Sequence, residues 1–152
     1  MAAVEPIATK KIRNDSAYYT VSWSTLEKAE RHRISQTVPA VSGIYEIYYV
    51  DERGRFHLFE VSQAWYGGLR GQIREKTDPE LESDPRKREI LDERDCYYRF
   101  TQVNSVEDIL DILFFLFETY FPKINRMQSS GRYRLIYLKE ITRDRFFNPL
   151  LT

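Results

Sequence analysis

The chain has 152 residues, 42% hydrophobic and 14% aromatic, which suffices for one well-buried core and argues against two. Its formal net charge is +0, so no global positive field draws it onto nucleic acid, and any such contact has to be local. The single cysteine, Cys96, excludes an internal disulfide and every multi-cysteine zinc site.

Residues 1–11 lack the apolar core of a signal peptide, and no apolar run reaches the ~18 residues of a membrane span, so a cytoplasmic protein without a membrane partner is the expectation. Residues 1–15 mix small and charged side chains without periodicity and read as a mobile or draped arm. Residues 18–23 suit a short strand. Ser24-Thr25-Leu26-Glu27 has the spacing of a capping box, which predicts a helix through about Ile34. The run G-I-Y-E-I-Y-Y-V at 43–50, a turn at 51–55 and the run F-H-L-F-E-V at 56–61 predict a β-hairpin. A helix follows over 69–81, broken near Pro79, with apolar residues only at Leu69 and Ile73 in its body. The stretch 78–95 is the most charged in the chain, but its mixed signs favour a solvated helix and loop over a nucleic-acid patch.

Residues 96–103, C-Y-Y-R-F-T-Q-V, read as a third strand, after which Ser105 caps a helix that is apolar nearly all round and so central and buried. Pro122 ends it. A last strand over 133–141 follows the Ser129-Ser130-Gly131 turn, and residues 143–152 form a tail. His32 and His57 stand alone, without ligand-spaced partners, and read as surface residues; Cys96 has no neighbouring His or resolving Cys and is no candidate nucleophile.

Gly43-Ile44-Tyr45 at the head of the hairpin and Pro122-Lys123-Ile124-Asn125 after the buried helix together resemble the two ends of the GIY-YIG nuclease domain, and the order of elements from about 38 to 125 is that of the family. The resemblance implies an α/β (α+β) fold: a small, mainly antiparallel sheet flanked by helices, here with an N-terminal arm and helix (1–37) and a C-terminal strand and tail (126–152) packed on the same domain. It also implies a divalent-metal phosphodiesterase, in which the first Tyr orients water, a helical Arg stabilises phosphate and a helical Glu holds the metal. Magnesium takes oxygen ligands, often one or two carboxylates, and a guanidinium offsets the charge that builds on phosphate. Tyr45 matches the first role and Asn125 the family's terminal Asn.

The remaining roles are harder to fill. The second motif fits either at Trp65-Tyr66-Gly67-Gly68, which sets Lys76 in the place of the Arg, or at Phe59-Glu60-Val61, which sets Gln72 there. A hairpin register with Phe59 or Glu60 opposite Tyr45 favours the second. Arg70 and Arg74 then point roughly 160° away from Gln72 on a helix. Counting back from Asn125 by the family's spacing lands on Leu113, and Glu118 lies roughly 140° further round.

Two functional readings follow. In one, a catalytically degenerate module binds nucleic acid (DNA or RNA) or a protein partner through Tyr45, Arg70, Arg74, Lys76 and a basic C-terminal stripe that includes Arg132 and Arg134, which share a face if they lie on a strand. In the other, Tyr45, Tyr66, Arg74 and Glu118 form a divergent nuclease in which Glu118 binds Mg2+. The eleven tyrosines offer a stacking platform at Tyr48, Tyr49, Tyr97 and Tyr98, or simply reflect half-buried strands. A solvated, charge-protected edge strand is the plain alternative for the basic stripe.

Overall fold

The computed structural model describes residues 5–65, 67–124, 127–145 and 147–151. In chain order these form β1 (Ala8–Arg13), β2 (Ser16–Ser22), β3 (Glu27–Lys28), α1 (Arg31–Thr37), β4 (Gly43–Val50), β5 (Phe56–Ala64), α2 (Gly68–Lys76), a 3-10 turn (Pro79–Leu81), α3 (Pro85–Glu93), β6 (Cys96–Gln102), α4 (Val106–Tyr120) and β7 (Leu135–Ile141). The result is an α+β fold with two sheets. One has the order β3-β6-β4-β5 and is antiparallel throughout; the other has the order β1-β2-β7, with β1 antiparallel and β7 parallel to β2.

Alternation along β4 sends its residues to two cores. Tyr45 and Ile47 join Ile34 and Val38 beside α1 and Leu69 and Ile73 of α2. Ile44 and Tyr48 face the other way, onto Ile109, Ile112, Leu113 and Leu116 of α4 and onto Ala17, Tyr19 and Val21 of β2. Helix α2 therefore covers one face of the central sheet, while α4 and the second sheet cover the other. Ser105 caps α4 by accepting the Asp108 amide at 3.0 Å, as its position before the apolar run predicts. No helix among the described residues is long and apolar enough to cross a membrane.

Gly43 has a packing reason to be glycine. A Cβ there would lie 2.2 Å from the Thr101 carbonyl oxygen and 2.9 Å from Leu69 Cδ1, so β4 passes too close to β6 for any side chain. Gly67 and Gly68 have φ of 78° and 71°, which turns the chain into α2 through a conformation other residues rarely adopt. A Cβ on Gly68 would also meet the Ala40 carbonyl carbon at 2.6 Å.

Three expectations are corrected. The N-terminal arm is strand β1 over Ala8–Arg13: its alternation is hidden because Thr9, Lys11 and Arg13 on one face and Lys10 on the other are all polar. The capping box does not form. Ser24 is buried and accepts the Phe100 amide at 2.9 Å, Glu27 pairs with Tyr98 in β3, and the helix begins only at Arg31; seating Trp23 in the core commits Ser24 to the sheet. In the hairpin, Ser62 stands opposite Tyr45 in place of Phe59 or Glu60. Ile47 pairs with Glu60 and Tyr48 with Leu58, so Phe59 is the extra residue of a β-bulge, and this is how Leu58 and Val61, three apart in sequence, both reach the same core.

Candidate functional site

Tyr45 is fully buried against α1 and α2, and its hydroxyl has no close, well-aligned hydrogen bond among the described residues. Burial pushes its phenol far above the ordinary value, and the negative charges of Glu60 and Glu75 push the same way against a weaker opposing effect of the Ser62 hydroxyl. A phenol that resists ionisation and sits among acids is poorly suited to activating water beside a phosphate. Tyr66 and Asn125 lie outside the described residues.

Leu113, at the position the metal-binding carboxylate would take, is 3% exposed in the core beneath α4. Glu118 is exposed on α4, across the central sheet from Tyr45. The structure thus separates the two groups the phosphodiesterase chemistry would bring together. Magnesium calls for converging oxygens; among the described residues no group of three His, Cys, Asp or Glu side chains is placed to hold a metal ion, so the residues present do not fit one.

On α2, Arg70 donates from Nε to the Val38 carbonyl at 2.7 Å, which ties the helix to the end of α1. Gln72 and Lys76 are half-buried, and Arg74 lines a groove of about 560 Å³ between α2 and the 3-10 turn. Arg31 lines that groove as well, but so do Glu75, Asp78 and Glu80, so its mixed charge does not favour an anion.

The C-terminal basic stripe is also rearranged. Arg132 precedes the strand and binds Asp108 at 2.8 Å and Asp111 at 3.0 Å; the Tyr19 hydroxyl lies within hydrogen-bond distance of both carboxylates, and Lys10 binds Asp108. Burial alone would raise the Asp108 carboxyl, but donation from Arg132, Lys10 and Tyr19 outweighs it and holds the group below its ordinary value. Arg134 pairs with Asp15 at 2.7 Å on the surface. Neither guanidinium is spare. The tyrosine platform fails at its centre, because Tyr48 and Tyr98 are 1% and 0% exposed. His57 is no isolated surface residue: its side chain is 14% exposed, its Nε2 lies 2.7 Å from Asp51 Oδ2 and its ring stacks on Tyr49 at 4.8 Å.

Sequence reasoning missed a buried ionic network. Glu46 is fully buried and accepts Arg99 Nε at 2.7 Å, the Tyr48 hydroxyl at 2.5 Å and the Tyr120 hydroxyl at 2.7 Å. Arg99 lies over the Trp23 ring at 4.6 Å and reaches toward Glu140, which accepts Trp23 Nε1 at 2.8 Å. The signal was present: G-I-Y-E-I-Y-Y-V and C-Y-Y-R-F-T-Q-V each carry one charge, of opposite sign, and the register sets them face to face. Because these donors meet their acceptors inside the protein, the network clamps β4, β6, α4 and β7 together.

The fold and these sites define an α+β protein with a sheet of four strands, a second of three strands and a clamped buried ion pair. A family model described as an uncharacterised protein matches residues 7–150, and the chain belongs to that family. No curated protein matches it, and no solved structure does.

Proposed function

We propose that the chain is a catalytically degenerate GIY-YIG-like domain, a module that binds nucleic acid or a partner rather than cutting a phosphodiester. The order of hairpin, helix, strand and buried helix from β4 to α4 supports the kinship. The observation that carries the loss of hydrolysis is the separation of Tyr45 and Glu118 by the central sheet, with Leu113 packed where the carboxylate would stand. Gly43 and Tyr45 keep structural roles that explain their presence without catalysis: one admits the close β4–β6 approach and the other fills the core under α2.

The test is incubation of the purified protein with branched, single-stranded and duplex DNA and RNA in magnesium or manganese. Intact substrates are expected. Metal-dependent cleavage that disappears in Glu118→Ala would overturn the proposal in favour of a divergent nuclease.

A further inference from the structure

The sheet β1-β2-β7 has one face in the core and one in solvent. Ala17, Tyr19 and Val21 of β2, with Ile136 and Leu138 of β7, face inward. The alternate positions therefore face outward, and there Tyr18 and Tyr137 stack at 5.0 Å with an interplanar angle of 11°. They remain 41% and 45% exposed, and Leu135 and Ile141 on the same face of β7 are 40% and 39% exposed. Lys11, Arg13 and Lys139 are the charged residues on this face; all are exposed, and among the described residues none makes an ion pair. No acidic residue of the three strands points outward. In a chain with 23 basic and 23 acidic residues, one face has been cleared of negative charge around an open aromatic pair.

We infer that this face is a platform for single-stranded nucleic acid. The inference rests on the binding-module reading and names its ligand and surface. Aromatic side chains on an open sheet hold unpaired bases by stacking, and flanking cations meet the phosphates. A duplex keeps its bases stacked on one another and offers little to the tyrosines. Strands ~4.8 Å apart give a platform ~10 Å across, suited to a short run of nucleotides.

Fluorescence anisotropy with labelled single-stranded DNA and RNA, and with the matching duplex, tests it. Wild type is expected to prefer the single strands at about 50 mM salt, where phosphate contacts are strong. Tyr18→Ala and Tyr137→Ala are each expected to weaken binding about 5- to 150-fold, the range for losing one base–aromatic stack. Tyr18→Phe, which keeps the ring, should stay within about twofold of wild type. Replacing Lys11, Arg13 and Lys139 together by Ala should reduce the slope of log affinity against log salt by about 2. Thermal melts of each variant separate loss of binding from loss of fold.

Single-strand binding untouched by the tyrosine and cation substitutions would overturn this inference and leave the module reading standing, as would a preference for duplex. Absence of all nucleic-acid binding, or a dimer in light scattering that Tyr137→Ala dissociates, would overturn it too, the latter making a second copy the occupant. Only metal-dependent cutting would remove the underlying reading.

Discussion

Replacing Arg99 by Ala should be among the most damaging single changes in the protein. Among the described residues the guanidinium is the sole cation paired with Glu46, a carboxylate with no exposed surface, at 2.7 Å. Without it the carboxylate keeps two phenol donors, from Tyr48 and Tyr120, but no opposite charge within the core. Breaking a buried pair by removing one partner costs about 3–5 kcal/mol. Arg99 also packs its charge over Trp23 at 4.6 Å and Phe147 at 5.1 Å, contacts of about 1–2 kcal/mol when desolvated that overlap with the first figure. Against a total stability of about 5–15 kcal/mol, the variant should be marginal.

Urea unfolding followed by circular dichroism and tryptophan fluorescence measures the loss. Combining Arg99→Met with Glu46→Gln should destabilise by less than the sum of the single changes, by about 1–3 kcal/mol. A loss under about 1 kcal/mol would refute the reasoning, since that is how a solvated pair behaves.

Gly43→Ala should cost roughly 2–4 kcal/mol or abolish soluble expression, because its Cβ would lie 2.2 Å from the Thr101 carbonyl oxygen. Gly71→Ala, in a helix with open space around it, should be neutral or stabilising by up to about 1 kcal/mol; matching urea midpoints for the two variants would contradict the close-approach account. Burial, then the charge of Glu46, holds the Glu140 carboxyl above its ordinary value, so its contribution favours the folded state at acidic pH and is lost as pH rises through the raised value. Glu140→Gln keeps an acceptor for Trp23 and should therefore gain stability relative to wild type as pH rises from about 4 to 7; a difference that stays constant over that range sinks the assignment.

How much of this was legible depended on whether the signal was local. The hairpin and α4 were readable because aromatic and β-branched residues in β4, and an unbroken apolar helix behind Ser105, state their structure within one window. Strand β1 was not, since Lys10 interrupts the Ala8 and Ile12 face with a charge and only the pairing with β2 reveals it. Ser24 and Glu27 carry a sound helix-start pattern that tertiary pairing with β6 overrides. The bulge at Phe59 has no glycine to announce it, although the spacing of Leu58 and Val61 is its trace. The Tyr18–Tyr137 stack joins opposite ends of the chain through a parallel pairing that no window of sequence contains. Arg132 looked like free charge because its partners, Asp108 and Asp111, lie on a distant helix.

Photo-crosslinking of a halouridine-substituted single strand in the presence of magnesium, with the adducts mapped by mass spectrometry and the strand sized on a denaturing gel, tests binding and hydrolysis at once. Adducts at Tyr18 and Tyr137 on a strand of undiminished length are the expected result. Adducts gathered around Tyr45 and α2, on a strand shortened only when metal and Glu118 are both present, would contradict it.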